Sequence, residues 1–333
     1  MGKPTSLDVA ARAGVSQSAV SRVFSGASAS PETARKVRKA AADLGYRPNV
    51  LARSLITGRS KIIGLVVAYM GNQFYPDAVE RLSAALQEEG YHLLVFIAGN
   101  DDSEVPRVID ELIDYQVDGI VAASVSVDGD LASRCRDAGI PVVLFNRGQE
   151  GRGLSQVTSA NRDGGAVVAR FLADARHRRV AQITGWLGAS TGRDRARGFR
   201  RGAAERRLEI IAETDGRFSR EAAAEAALDI WRRHRPDAIF VGNDHMAFGV
   251  MDALRAEGLR IPEDVSVIGY DDTPPAAWGA YDLTTVRQPA RRMADATVRL
   301  LLAQIEDPAL TPERVEIEGP LIVRSSARIP EIP

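Results

Sequence analysis

The chain has 333 residues, 45% apolar and 26% charged, with formal net charge −1 and a single cysteine, Cys135. That length holds a small module plus one or two α/β domains, and the apolar share excludes a disordered chain. One cysteine excludes a disulfide framework or a cysteine zinc cage. The longest apolar run, Ile62 to Gly71, falls well short of the roughly 20 residues that span a bilayer. No apolar h-region follows Lys3, so the expectation is a soluble, cytoplasmic protein.

The near-zero charge conceals an asymmetry. Residues 1–61 carry eleven Lys and Arg against Asp8, Glu32 and Asp43, a surplus of eight, which leaves −9 for the rest. A basic head on an acidic body is the electrostatic footprint of a polyanion binder, although a solvated charged face has the same composition.

In that head, Leu7, Val9, Ala10 and Ala13 fall at helical spacing, with Thr5 or Ser6 placed to cap the first turn. Gly14 stops the helix. Ser16 is placed to cap a second one through Gln17, Ala19, Val20, Arg22 and Phe24. Two short helices across a glycine-containing turn make a helix-turn-helix. The second exposes Gln17, Ser18, Ser21 and Arg22, groups able to read base edges and grip phosphates in a major groove. A third helix is predicted from Pro31 through Thr33, Val37 and Ala41 to Leu44, ended by Gly45. Residues 47–60 follow, where Asn49 can cap a helix too short to be stable by itself.

Beyond residue 61, apolar runs alternate with amphipathic stretches. Strands are predicted over 62–67, 92–97, 119–122, 142–145, 180–184, 210–214, 238–241 and 265–269, with helices over 77–89, 105–115, 131–138, 163–175, 193–206, 221–234 and 244–257. This alternation argues for parallel, doubly wound sheets, and about nine strands exceed one compact core. Ligands of such sheets sit beyond the C-terminal strand ends. Those positions hold Asn72, Phe74, Asn146, Arg147, the loop 185–195, Phe218, Asn243, Asp244, Tyr270, Asp271, Asp272 and the more distant Gln288. Amides, carboxylates and guanidinium groups interleaved with aromatics suit a sugar or its acid. Taken singly, each serves equally well as a capping or turn residue, Asn243 and Asp271 above all.

Enzymatic signatures are sparse. His92, His177, His234 and His245 have no metal-ligand spacing, and no Walker phosphate loop or G-x-S-x-G elbow occurs. Asp271 and Asp272 are adjacent, so their side chains diverge. His245 beside Asp244 reads as a helix N-terminal histidine. No reaction, metal or cofactor is expected.

The stretch TSLDVAARAGVSQSAVSRVFSGASASPETARKVRKAAADLGYRPNVLARSLITGRSKIIGLVV resembles the start of the LacI/GalR family of bacterial transcriptional regulators, and the likeness continues more loosely to the C-terminus. The resemblance implies an all-α helix-turn-helix head (1–46) and a hinge helix (47–60). It also implies a type I periplasmic-binding-protein-like α/β core (61–333) of two doubly wound parallel-sheet subdomains. These would comprise 61–160 with 291–320, and 161–290 with 321–333, joined by crossovers near 159–161, 287–291 and 319–322, with a helix over 292–305 returning to the first. In DNA binding it implies roles for Gln17 and Ser18 as base selectors, for Ser16, Ser21 and Arg22 beside them, and for Thr5, Ser30, Thr33 and Tyr46 at phosphates. Asn49 starts the hinge, and Ala52 and Leu55 match its groove-facing positions, Leu55 as an apolar wedge. Through R-x-x-G-F, VGNDHMAFG, VIGYDD and PVVLFNR it implies effector contacts by Arg195, Asn243, Asp271, Asn146 and Arg147, joined by Phe74, Phe218 and Gln288. This chain departs from the family at Ala19, where Thr is frequent, at Ala160 and His245, and in lacking a glycine before His177. The expected function is a sequence-specific repressor, homodimeric on a pseudo-palindromic operator in double-stranded DNA. A sugar-like effector would control it. A solute-binding protein or, further off, a sugar-processing enzyme are the alternatives.

Overall fold

The computed structural model describes residues 4–25, 28–47, 58–98, 104–151 and 153–330. The chain forms two compact units, residues 1–61 and 62–333.

In the first unit, α1 (Ser6–Ala13), α2 (Gln17–Ser25) and α3 (Pro31–Leu44) close around Val9, Ala10, Val20, Val23, Val37, Ala40 and Ala41. Thr5 caps α1 reciprocally: its Oγ1 accepts from the Asp8 amide at 3.3 Å, and its own amide donates to Asp8 Oδ2 at 2.8 Å. Gly14 and Gly45 end α1 and α3 at φ 66° and 64°, a left-handed conformation that costs glycine nothing. Ser16 Oγ accepts from the Ala19 amide at 3.2 Å, and Ser30 Oγ from the Thr33 amide at 3.2 Å. Pro31 occupies the first turn of α3, where its missing N–H has no cost.

The second unit contains two six-stranded sheets. The first has order β11-β5-β4-β3-β1-β2, from β1 (Ile62–Val67), β2 (His92–Ile97), β3 (Gly119–Ala123), β4 (Val142–Phe145), β5 (Ser155–Ser159) and β11 (Arg314–Ile317). The second has order β12-β10-β9-β8-β6-β7, from β6 (Arg179–Thr184), β7 (Glu209–Asp215), β8 (Ala238–Val241), β9 (Ser266–Asp271), β10 (Thr284–Arg287) and β12 (Leu321–Ile322). All pairings are parallel except that of β12 with β10. Helices cover both faces: α4 (Phe74–Glu88), α5 (Glu104–Asp114) and α6 (Gly129–Asp137) on the first sheet, α7 (Asn161–Asp174), α8 (Ser190–Arg206), α9 (Arg220–His234) and α10 (Asp244–Ala256) on the second. The chain passes between the sheets at Ala160, at Gln288 and Pro289, and over 318–320. After the second passage α11 (Ala290–Glu306) returns to bury Met293, Ala294, Leu300 and Leu301 against the first sheet.

The predicted alternation of strand and helix is present, with twelve strands among the described residues rather than about nine. The four short strands β5, β10, β11 and β12 lack the apolar run by which the others announce themselves. Ser155 in β5 is buried because its Oγ accepts from Gln304 and from the Glu313 amide, at 2.9 and 3.0 Å. Strand β9 runs two residues past its predicted end, through the fully buried Tyr270 to Asp271. Among the described residues no helix is long and apolar enough to cross a membrane.

Candidate functional site

Two surfaces concentrate the residues singled out from the sequence. In the first unit, Ser16, Gln17, Ser18, Ser21 and Arg22 are exposed along the first turns of α2. Gln17 Nε2 donates to Ser6 Oγ at 3.0 Å, and the hydroxyls of Ser16 and Ser18 lie 2.9 Å apart. Arg35, Lys36, Arg38 and Lys39 are exposed on α3, and only Lys36 has an intrahelical carboxylate, Glu32 at 2.8 Å, among the ion pairs of the described residues. Thr5, Ser30 and Thr33 are engaged in the caps, with their amides and hydroxyls at helix N-termini, where helix dipoles favour phosphate. Tyr46 packs its ring on Phe24 at 5.9 Å and is half-buried. Ala19 is buried. Asn49, Ala52 and Leu55 lie outside the described residues.

In the second unit, the strand ends converge where each sheet reverses order, between β1 and β3 and between β6 and β8. Arg195 on α8 is 3% exposed. Its Nε donates to Asn161 Oδ1 at 2.9 Å and its Nη1 to the Gly242 carbonyl at 2.7 Å, with Asp271 Oδ1 3.2 Å from Nη1. The guanidinium lies over the Tyr270 ring at 3.8 Å. Asp271 also accepts from Gln288 Nε2 at 2.7 Å and, across the cleft from the loop after β1, from Asn72 Nδ2 at 3.1 Å. One carboxylate thus ties the second lobe to the first. Gly148 N donating to Ser190 Oγ at 2.9 Å, and Arg147 over the Trp186 ring at 5.6 Å, bridge the lobes further.

Asn72, Asn146, Arg147, Arg195, Phe218, Asn243, Asp271 and Gln288 all line an inner recess, joined by Tyr69, Tyr75 and Thr191. Asn146, Phe218 and Asp271 hold φ of 68°, 57° and 126°, strain of the kind that collects at functional sites. Asn146 Nδ2 donates to Tyr75 Oη at 3.1 Å, and the Tyr75 and Ser124 hydroxyls are hydrogen-bonded. Asn146 Oδ1 and Gln288 Oε1, both buried, have no partner. Asn243 serves as the cap of α10, its Oδ1 accepting from the Met246 amide at 2.9 Å, while Asp271 caps nothing. An outer chamber of about 350 Å³ shares Tyr69, Arg147 and Phe218 with the recess and adds Ser124, Trp186, Arg217 and His245.

Phe74 is a correction. It starts α4 and turns its ring into the first lobe's core, stacked on Phe145 at 6.2 Å and 3% exposed, so it lines neither cavity. The aromatic hydroxyls of Tyr69 and Tyr75 take that wall instead, and nothing in their local sequence distinguishes them from core residues. Asp244, a strand-end candidate, lines neither cavity. It is fully buried behind Asp271, accepting from the Thr273 amide and Thr285 Oγ1 at 2.8 and 2.6 Å. Burial pushes both carboxyls up. The charge of Arg195 and the donors Asn72 and Gln288 pull Asp271 back, whereas the charge of Asp271 raises Asp244 further. Asp272 turns away from its neighbour to pair with Arg287 and Arg324, at 2.6 and 2.7 Å.

Comparison with known proteins bears on both surfaces. Residues 5–49 match bacterial regulatory proteins of the lacI family, and residues 169–327 match a periplasmic binding protein-like domain. The HTH-type transcriptional repressor PurR of Vibrio campbellii is 31% identical over 326 residues, spanning 96% of this chain and 98% of that protein. A solved transcriptional regulator CelR–cellobiose complex is 32% identical with a TM-score of 0.74, spanning 97% of this chain and 99% of that one. The lac repressor dimer bound to operator and the anti-inducer ONPF is 26% identical with a TM-score of 0.88, over 98% and 99% of the two chains. Similarity sustained from the helix-turn-helix through both sheets means that the chain belongs to the LacI family of bacterial regulatory proteins.

Proposed function

We propose that this regulator is a repressor that binds a pseudo-palindromic operator as a homodimer, and that a sugar-like molecule held between its two lobes sets the strength of that binding. One helix-turn-helix reads one half-site, so two copies are required for a palindrome. Gln17 and Ser18 select bases, with Ser16, Ser21 and Arg22 supporting them; Thr5, Ser30, Thr33 and Tyr46 meet phosphates, and the segment with Asn49, Ala52 and Leu55 enters the minor groove. It acts in the cytoplasm, on the nucleoid when at its operator, and binds its effector without transforming it.

The observation that carries the effector reading is the pair of buried, unpartnered acceptors, Asn146 Oδ1 and Gln288 Oε1, in a recess already supplied with a guanidinium and a carboxylate. Orphaned buried acceptors are costly, and ligand hydroxyls are the donors that satisfy them. A hydroxyl competing for Asp271 also acts on its bond to Asn72, one of the contacts by which the second lobe holds the first. A ligand that prefers one lobe arrangement shifts operator affinity by linkage, and couplings of about 1–3 kcal/mol are typical. CelR, which is similar over nearly its whole length, is described in complex with cellobiose.

The test is fluorescence anisotropy of full-length protein on the DNA upstream of its own and adjacent reading frames, against scrambled competitor, with and without a sugar panel. Preference for one palindromic site, changed about 5- to 150-fold by a panel member, is expected. Equal binding to scrambled DNA under every condition overturns the reading.

A further inference from the structure

The outer chamber has a chemistry that the inner recess does not share. Its walls are Ala68, Tyr69, Ser124, Val125 and Arg147 from the first lobe, and Trp186, Arg217, Phe218, Ser219 and His245 from the second. Two guanidinium groups and an imidazole line it, and no carboxylate does. The carboxylate of the recess, Asp271, is already shared among Arg195, Asn72 and Gln288. Glu221, the other acid felt by His245, is bound to Ser219 Oγ at 2.9 Å and lies at the solvent-facing start of α9.

Neither Arg147, half-buried, nor Arg217, exposed, forms an ion pair among the described residues, whereas Arg195 in the adjoining recess pairs with Asp271. Arg147 Nε is buried and has no partner. Only this nitrogen is buried, since the Arg147 side chain is half-exposed and lies over Trp186, and an acceptor that carries charge satisfies such a donor better than a neutral one. Three aromatic side chains, Tyr69, Trp186 and Phe218, offer faces on which the apolar face of a pyranose or an extended polyol can lie. About 350 Å³ is room for one such unit.

Resting on the effector reading above, we infer that the effector is an anionic sugar derivative. The recess holds only about 10 Å³ with the Asn72–Asp271 bond in place. The effector's hydroxylated end therefore reaches Asn146, Asp271 and Gln288 by displacing that bond, and its carboxylate or phosphate lies by Arg147 and Arg217 in the outer chamber. Because these two arginines come from opposite lobes, an anion held by both also bridges the lobes. His245 lines the same chamber.

The experiment is isothermal titration of full-length protein with D-gluconate, D-glucuronate and D-glucose 6-phosphate, and with neutral D-glucose and cellobiose, at low and high salt. At least one anionic compound binds about tenfold or more tightly than D-glucose, and that preference shrinks as salt rises. Arg147→Gln and Arg217→Gln each cut the anion-over-neutral preference about tenfold, and Arg217→Lys restores most of it. A misfolded variant lowers both affinities together and leaves the ratio alone. The two acids against the phosphate tell which anion the chamber takes. Cellobiose or glucose binding as tightly as every anionic compound overturns the charge assignment while leaving the cleft as an effector site. Failure of all five to bind, with operator affinity unmoved, overturns both.

Discussion

Arg195 is the residue on which the cleft turns, because it is buried among one carboxylate, one amide oxygen and one carbonyl that nothing else neutralises. Arg195→Ala leaves Asp271 with an uncompensated charge, which costs about 3–5 kcal/mol in comparable buried pairs. Urea denaturation should show that loss, and operator anisotropy with effector present should show no response; a variant that keeps both stability and response contradicts the assignment. Asp244 carries a pH signature. Its folded value lies above its unfolded one, so the stability it contributes is complete below the ordinary aspartate range and declines as pH rises towards the folded value. Asp244→Asn should therefore flatten the fall in unfolding free energy as pH rises above the ordinary aspartate range. Parallel profiles for variant and wild type would mean that Asp244 ionises freely. Of these residues, Arg195 and Asp271 were legible from motif and strand-end position. Asp244 was not, since a carboxyl next to a helix start reads as a surface cap until Thr273 and Thr285 are seen to enclose it.

Helix pairing sets where Arg195 points. Gly165 on α7 and Gly198 on α8 each face the backbone of the other helix so closely that a Cβ would overlap the carbonyl of Arg195 or Arg162, respectively. The glycine of R-x-x-G-F is therefore a contact between helices, and Phe199 beside it packs on Phe240 at 4.9 Å in the lobe's core. Gly198→Ala should force α7 and α8 apart, cost about 1–3 kcal/mol by overpacking, and weaken effector binding by separating Arg195 from Asn161. Melting temperature and titration measured together check this; unchanged effector affinity would show that the helix spacing is not what aims the arginine. Long apolar strands and amphipathic helices were legible because their periodicity is local. Strands β5, β10, β11 and β12 were not, because Ser, Gln, Thr and Arg become buried or paired there only through partners far along the chain, such as Gln304 for Ser155 and Arg324 for Thr284. Phe74 failed for a related reason: its distance from the strand end was visible, but not that the first turn of α4 faces Phe145.

At the scale of the whole chain, the division of charge carries the DNA-binding claim. A head with a surplus of eight positive charges binds DNA chiefly by releasing counterions, so the logarithm of operator affinity should fall steeply and linearly with the logarithm of salt. Titrations from roughly 50 to 200 mM salt test this, and a flat response would exclude phosphate contacts by the head. By itself the sequence determined the helix-turn-helix, its caps, the charge partition and the alternating α/β class, because capping, glycine turns and hydrophobic period act over a few residues. Only the tertiary structure decided which strand-end side chains meet, that Phe74 is core and Tyr69 and Tyr75 are wall, and that Asp244 is enclosed. Such matters depend on approach between segments as much as 199 residues apart, as Asn72 and Asp271 are, and no local pattern encodes a distance of that kind.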